Sequence, residues 1–138
     1  MQTTETETLA NSTNEYVVMK SVLIVEDNRD LRSIFGKMFR KFGYQVTTAV
    51  DGQQALVFLR HNRYQVLILD INMPNLSGRD VLARIRDEDL KRDMKIIVVT
   101  GDCRAEESAE VGTADLFLTK PVSTIDLVIL ANRLVVSG

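Results

Sequence analysis

Carboxylate, hydroxyl and ammonium side chains recur in this sequence at the ends of short apolar runs. Glu26 and Asp27 follow the first run, Asp70 and Thr100 follow two later ones, and Lys120 comes shortly after the last. Three neighbouring carboxylates repel one another, which raises their pKa values unless a cation neutralises them. Hard oxygen ligands favour Mg²⁺ or Mn²⁺, and a lysine and a hydroxyl beside the ion would suit a phosphoryl group.

Asp70 is the candidate nucleophile of such a site, because a carboxylate can form an aspartyl phosphate. It directly follows a wholly apolar run and precedes a loop rather than a helix. Taken alone, each residue has an ordinary explanation: an aspartate after a strand commonly lies in a turn, and the Glu26-Asp27 pair could cap a helix. The joint pattern at four strand ends favours a functional site.

Zinc and disulfide chemistry are not favoured by the composition. The sequence has one cysteine, Cys103, and one histidine, His61, which is predicted to lie on a helix away from the carboxylates. A single cysteine cannot form an intrachain disulfide and fits a reducing compartment. The N-terminus has no basic region followed by an apolar run, and the apolar runs are too short to cross a bilayer. We therefore expect a cytoplasmic protein without a membrane contact.

The apolar runs that precede the candidate residues predict strands of a parallel sheet. They are short and rich in β-branched residues, as expected for strands that are buried on both faces. Helical patterns separate them, and this alternation predicts an α/β protein with a doubly wound sheet and helices on both faces. The predicted strands are residues 22–25, 45–50, 66–69, 96–99 and 116–118.

Five helices are predicted between and after these strands. Gly43 ends the first, while Asp51 and Ser77 have the residue types preferred at the start of a helix. The helix predicted at 104–111 has a thin apolar face and is expected to be short or mobile. The apolar face of the first helix is predicted to comprise Leu31, Ile34, Phe35, Met38, Phe39 and Phe42.

The last helix, predicted at 123–136, is apolar over more than one face. Its predicted inner residues are Leu127, Leu130 and Leu134. Further apolar residues, Ile125, Val128, Ile129, Val135 and Val136, are predicted to lie outside this face. We expect either a second copy of the chain or a further segment to cover them, and we favour a homodimer.

The length and charge of the chain suit a single domain with a polar leader. The chain has 138 residues and a net charge of −2, which does not favour a broad basic surface for nucleic acids. Residues 1–19 are rich in Thr, Glu, Asn and Ser, and a segment of this composition is predicted to be a mobile tail. Residues 20–138 are predicted to form the domain.

Four segments together resemble the receiver domain of two-component response regulators, as found in single-domain chemotaxis regulators. They are Val22-Leu23-Ile24-Val25-Glu26-Asp27-Asn28, Leu67-Ile68-Leu69-Asp70-Ile71-Asn72-Met73-Pro74 with Ser77-Gly78, Ile97-Val98-Val99-Thr100-Gly101, and Phe117-Leu118-Thr119-Lys120-Pro121. The resemblance extends over about residues 20–136. It implies a flavodoxin-like three-layer fold with strand order 2-1-3-4-5.

The resemblance also implies a role for each acidic residue. Asp70 would accept a phosphoryl group from a phosphohistidine of a histidine kinase or a histidine phosphotransfer protein. Asp27, Asp70 and the backbone carbonyl of Asn72 would coordinate Mg²⁺, and Glu26 would assist through a water molecule. Many family members have aspartate at the position of Glu26, but the longer side chain can still reach a metal-bound water.

The remaining implied roles concern the response to phosphorylation. Thr100 would hydrogen-bond the phosphoryl group and Lys120 would pair with one of its oxygens. Phe117 matches the aromatic switch position, whose ring turns inward when the threonine moves. The Lys120–Pro121 peptide bond is expected to be cis, as is usual in the family.

Two other functions remain as alternatives. A pseudo-receiver would bind partners without phosphorylation, which the intact set of Asp27, Asp70, Thr100 and Lys120 disfavours. A phosphatase of the haloacid dehalogenase type also uses a strand-end aspartate, a threonine and a lysine with Mg²⁺. That class normally has a second aspartate two residues after the first, where this chain has Asn72.

Overall fold

The computed structural model describes residues 20–101 and 112–137. The expected N-terminal tail and the helix predicted at 104–111 lie outside the described residues. Strands and helices alternate along the described chain in the predicted order, except at the gap. The elements are β1 (Ser21–Val25), α1 (Arg29–Lys41), β2 (Gln45–Ala49), α2 (Gly52–His61), β3 (Val66–Leu69), α3 (Gly78–Asp87), β4 (Lys95–Thr100), β5 (Leu116–Thr119) and α4 (Thr124–Ser137).

The five strands form one parallel sheet in the order β2-β1-β3-β4-β5. This arrangement confirms the predicted doubly wound α/β fold. Side chains alternate between the two faces, so that Leu23 and Val25 pack beneath α2 and α3. Val22 and Ile24 pack on the opposite face beneath α1 and α4. The sheet is therefore the middle of three layers, with an apolar core on each side.

The first helices begin and end as their sequences predict. Asp51 caps α2 by accepting a hydrogen bond from the Gln54 amide at 2.8 Å. Ser77 and Asp80 cap α3 reciprocally, each side chain accepting from the other residue's backbone N–H. Gly43 follows α1 with a φ of 88°, a conformation that glycine adopts without a steric penalty. These caps set where the loops next to the strands begin.

Apolar residues of α1 and α4 lie elsewhere than predicted. Leu130, expected on the inner face of α4, is partly buried and is not among the residues that pack against the core there, whereas Val135, expected outside this face, packs against that core. Ile34 was expected on the inner face of α1 but is 49% exposed, because it sits at the margin of the stripe formed by Phe35 and Phe39. Val128 was expected outside the inner face of α4 but is fully buried, because it lies one turn before Ala131 on the face that contacts the sheet. Strand β2 also ends at Ala49, one residue earlier than predicted.

Candidate functional site

The register of the sheet brings the predicted site residues to one edge. Val25 pairs with Leu69, so Glu26 and Asp70 emerge side by side from the central strands. The Asp70 amide donates to the carbonyl of Val25 at 3.0 Å, which extends this pairing by one residue. At the other side of the site the Lys120 amide donates to the carbonyl of Thr100 at 2.7 Å. The carboxyl ends of four strands thus meet, as ligand sites in open parallel sheets require.

Glu26, Asp27 and Asp70 form an acidic cluster at this edge. One carboxylate oxygen from each residue lies within 4.8 Å of the other two. Glu26 and Asp70 are nearly inaccessible, at 2% and 4% exposure, whereas Asp27 is exposed. The candidate metal ligands are all carboxylate oxygens. Their number and spacing fit Mg²⁺, which uses a few carboxylates and keeps several water ligands. The cluster is therefore suited to a magnesium ion.

Lys120 is the cation that faces the cluster. Its Nζ lies 2.9 Å from Oε1 of Glu26 and 3.4 Å from Oδ2 of Asp70. Burial alone would lower the pKa of Lys120, but the hydrogen bond to Glu26 and the charge of Asp70 outweigh it and raise the pKa. The ammonium is therefore charged at neutral pH. The Lys120–Pro121 peptide bond is cis, the isomer that the resemblance implied.

The environment of Asp70 disfavours its charged form. Burial, with the negative charge of Glu26, raises the pKa of Asp70 to about 6. Lys120 and the backbone N–H of Asn72 oppose this shift, the latter by donating to Oδ1 at 3.2 Å. One ammonium does not balance three carboxylates, so the cluster retains an excess of negative charge. A divalent cation would relieve it.

Thr100 contacts the loop that follows Asp70, whereas Phe117 contacts the apolar core. Thr100 is fully buried, and its Oγ1 accepts a hydrogen bond from Nδ2 of Asn72 at 3.4 Å. Phe117 is half-buried and packs against the core beneath α2 and α3. The structure thus places Asn72 between Asp70 and Thr100, a side-chain contact that the sequence pattern did not indicate.

Asn28 is the residue that caps α1. Its side chain accepts from the Leu31 amide at 2.9 Å, so the alternative in which Glu26 and Asp27 cap this helix is wrong. The Asn28 amide instead donates to Oε2 of Glu26 at 3.1 Å. Both oxygens of Glu26 therefore have partners, Asn28 on one side and Lys120 on the other.

Arg32 is a further side chain at the site that the sequence analysis missed. Its Nη1 donates to the backbone carbonyls of Glu26 at 2.8 Å and Asp27 at 3.2 Å. Its spacing of six residues from Glu26 carries no recognisable signal, because the contact depends on how the first turns of α1 meet the end of β1.

Gly78 lets the loop that follows Asp70 lie against α3. A Cβ at this position would come within 2.3 Å of the Asp70 carbonyl oxygen and 2.7 Å of the Ile71 Cα. The Gly78 amide also donates to the carbonyl of Ile71 at 2.9 Å. The Ser77-Gly78 pair, which formed part of the resemblance, thus has a packing role directly behind Asp70.

Comparison with known proteins agrees with this geometry. The family model described as the response regulator receiver domain matches residues 22–132. The chain belongs to this family. It is 36% identical to the response regulator SaeR of Staphylococcus epidermidis over 118 residues, which cover 84% of this receiver and 50% of SaeR. It is 33% identical over 109 residues to the polar-differentiation response regulator DivK of Brucella anthropi, covering 75% of this receiver and 86% of DivK.

Solved receiver structures share the fold. The response regulator TrrA of Thermotoga maritima, solved in complex with Mg²⁺–BeF, is 31% identical, with a TM-score of 0.76 and coverage of 84% of this chain and 99% of that one. The chemotaxis protein CheY4 of Vibrio cholerae is 28% identical, also with a TM-score of 0.76, and the match covers 85% and 99% of the two chains. The receiver spans about half the length of the SaeR relatives. Among its described residues, no helix is long and apolar enough to cross a membrane.

Proposed function

We propose that this receiver accepts a phosphoryl group on Asp70 from a phosphohistidine of a histidine kinase or histidine phosphotransfer protein, in a reaction that requires Mg²⁺. The observation that carries the proposal is the acidic cluster with Lys120, in which Asp70 is the carboxylate at the end of a central strand. The solved complex of TrrA, a relative 31% identical to this chain, with Mg²⁺–BeF supports a requirement for Mg²⁺. The receiver acts as a switch and turns over no metabolite.

In the proposed reaction an oxygen of Asp70 attacks the phosphorus of the phosphohistidine. The new O–P bond forms as the N–P bond breaks, and the histidine nitrogen keeps the electron pair of the broken bond. Lys120 neutralises charge on the phosphoryl oxygens, since its Nζ already lies 3.4 Å from Asp70. Hydrolysis later returns the carboxylate and releases inorganic phosphate.

Mg²⁺ would be held by Asp27, Asp70 and the carbonyl of Asn72, with Glu26 acting through a water molecule; Mn²⁺ would serve in its place. When bound, the ion supplies charge neutralisation for the carboxylates and for the incoming phosphoryl oxygens. The buried Glu26 keeps its hydrogen bond to Asn28 and its ion pair with Lys120. It thereby holds the lysine at the site.

The phosphorylated state is proposed to alter the surface near β5. The phosphoryl group would attract the Thr100 hydroxyl away from Asn72, and the half-buried Phe117 ring would turn into the space that Thr100 leaves. Such a rearrangement shifts the balance between two conformations of a partner-binding surface. The target that recognises this surface is a protein.

A recess beside Lys120 offers a docking place for the phosphohistidine donor. It has a volume of about 360 Å³ and is lined by Leu31, Phe35, Lys120, Pro121 and Val122. Its apolar walls lie between the start of α1 and the connection from β5 to α4. A donor helix seated here would bring its histidine towards Asp70.

We also propose a homodimer contact through α4, which exposes Ile125 and Ile129.

Intact-mass spectrometry tests the phosphoacceptor. The protein is incubated with MgCl₂ and acetyl phosphate, and we expect one phosphoryl adduct that disappears in Asp70→Asn and in EDTA. Asp93→Asn, which changes an exposed aspartate in the α3–β4 connection, is the matched control and should retain the adduct.

The other outcomes of this experiment each contradict the proposal. A wild-type protein without an adduct would indicate a pseudo-receiver. An adduct that persists in Asp70→Asn would place the acceptor elsewhere. Sustained turnover of phosphomonoesters would indicate a phosphatase, although Asn72 occupies the position where that class normally has its second aspartate.

A further inference from the structure

The linker between β1 and α1 contains two of the three carboxylates of the acidic cluster. It consists of Glu26, Asp27 and Asn28, between the last residue of β1 and the first residue of α1. Glu26 is buried and is held through both carboxylate oxygens. Asp27 is exposed, and within residues 20–101 and 112–137 its one hydrogen bond is the one its carbonyl accepts from Arg32.

Arg32 joins the two acidic residues through their backbone rather than through their carboxylates. Its Nη1 donates to the carbonyl oxygens of both Glu26 and Asp27. Its own amide donates to the carbonyl of the N-cap Asn28 at 3.0 Å, which is the first intrahelical hydrogen bond of α1, so the side-chain contacts are what Arg32 adds to the linker. A guanidinium stays charged at all ordinary pH values and presents its N–H groups in a fixed planar arrangement.

We propose that Arg32 is a positioning residue for the magnesium site, because it fixes the linker so that Glu26 and Asp27 face Asp70. This inference rests on the proposed Mg²⁺-dependent function of that site. Groups that orient metal ligands from behind typically change metal affinity by tenfold or more when they are removed. Arg32 acts through the linker backbone and need not touch the ion.

The direction of the change in Mg²⁺ affinity distinguishes a positioning role of Arg32 from a purely electrostatic one. Removal of a positive charge next to three carboxylates makes the site more negative, which by Coulomb attraction strengthens Mg²⁺ binding. Loss of the linker contacts weakens Mg²⁺ binding, because the carboxylates of Glu26 and Asp27 must then be ordered when the ion binds. The two explanations therefore predict opposite changes in the Mg²⁺ dissociation constant.

Arg29 provides the matched control on the same helix. It is exposed at the first position of α1, three residues before Arg32, and its side chain makes no hydrogen bond or ion pair with the described residues. Arg29→Met removes the same charge from the same helix end without removing a contact to the linker. Arg32→Met removes the charge and the linker contacts together, while Arg32→Lys keeps the charge and loses the planar fork.

Calorimetric titration with MgCl₂ measures the effect without any phosphodonor. We expect the dissociation constant to rise about tenfold in Arg32→Met, to rise by a smaller factor in Arg32→Lys, and to stay constant or fall in Arg29→Met. In acetyl phosphate reactions the half-saturating Mg²⁺ concentration should rise by the same factor. The rate at saturating Mg²⁺ should be retained, which a general loss of folding would not allow.

The outcomes distinguish this inference from the function on which it rests. If the wild type binds Mg²⁺ and Arg32→Met binds it equally or more tightly, Arg32 contributes only charge and the inference is wrong. If the wild type binds no Mg²⁺, the proposed Mg²⁺-dependent function is wrong, and the inference that rests on it is wrong as well. If Arg32→Met does not fold by circular dichroism, Arg32→Lys decides, and wild-type affinity in that variant overturns the inference.

Discussion

At the scale of single residues, Asp70 combines burial with a neighbouring negative charge. Its pKa is raised to about 6, whereas in the unfolded chain the carboxyl titrates near its ordinary value of 3.8. The folded protein therefore binds a proton at Asp70 more tightly than the unfolded chain does. Its protonated form favours folding below pH 4, and this contribution is lost as the pH rises through 6.

Asp70→Asn should therefore stabilise the protein at neutral pH. In EDTA at pH 7 we expect the free energy of unfolding to rise by roughly 1–3 kcal/mol, because the neutral amide replaces a buried carboxylate. The gain should vanish near pH 3.5, where Asp70 is protonated in both states. Urea unfolding at several pH values measures this change.

Two controls accompany the Asp70→Asn measurement. Addition of Mg²⁺ should stabilise the wild type and leave Asp70→Asn nearly unchanged, because the ion binds the native carboxylates. Asp93→Asn at an exposed position should change the stability by less than about 0.5 kcal/mol. A variant less stable than the wild type at pH 7 in EDTA would show that the hydrogen bonds of the carboxylate outweigh its burial.

At the scale of elements, the first turn of α3 supports the loop that carries Asn72. Gly78 leaves no room for a side chain, since the atoms nearest a Cβ would be the backbone of Asp70 and Ile71. Gly52 plays the same part at the start of α2, where a Cβ would lie 2.5 Å from the carbonyl oxygen of Leu76. The two helix starts therefore hold the β3–α3 loop between them.

Gly78→Ala should destabilise the protein by about 1–3 kcal/mol, because backbone atoms cannot yield to the new methyl group as a flexible side chain could. Phosphorylation by acetyl phosphate should slow, since the displaced atoms belong to Asp70 itself. Gly36→Ala in the middle of α1 is the control. Its Cβ would meet the end of the Arg40 side chain at 3.4 Å, so alanine should stabilise that helix by up to about 1 kcal/mol.

The elements could be predicted from the sequence where burial is uniform. Strands β1, β3 and β4 are apolar on both faces, so their runs of β-branched and leucine residues are unambiguous. The strand order came from the family resemblance, because local patterns do not specify which strands pair. Ile34 and Val128 were misplaced because a helical stripe has margins that only its packing partners define.

The candidate site was predictable to the extent that its residues follow strands. Glu26, Asp70 and Lys120 lie together because a parallel sheet gathers strand ends, which is a rule of topology. The contacts of Arg32 and the Asn72 side chain depend on tertiary geometry and rotamers, and no spacing in the sequence signals them. The cap of α1 illustrates the limit of prediction from sequence. Glu26, Asp27 and Asn28 are consecutive polar residues, and each could have capped the helix.

At the scale of the whole molecule, the two helical layers differ in what they expose. On α4, Ile125 and Ile129 are 49% and 37% exposed, and they lie one helical turn apart. On the opposite layer, Val57 of α2 is 54% exposed without an apolar neighbour at that spacing. This difference is the basis for the homodimer proposed through α4.

Sedimentation equilibrium tests the proposed homodimer. We expect the wild type to dimerise at micromolar concentrations and the double variant Ile125→Gln/Ile129→Gln to remain monomeric, because the substitutions remove the apolar surface that association would bury. Val57→Gln should dimerise like the wild type. A wild type that remains monomeric at high concentration, with and without phosphorylation, would contradict the proposal.

Asp70 and Lys120 are expected to respond differently to thermal fluctuation, because the strands that precede them occupy different positions in the sheet. Asp70 extends β3 at the fully buried centre of the sheet, and its amide is bonded to β1. Lys120 follows the half-buried edge strand β5. In hydrogen exchange, central amides open only with global unfolding, whereas edge amides open locally. We therefore expect the backbone amide of Asp70 to exchange only on global unfolding and the amides of β5 to exchange faster, so that the side of the site next to β5 opens first.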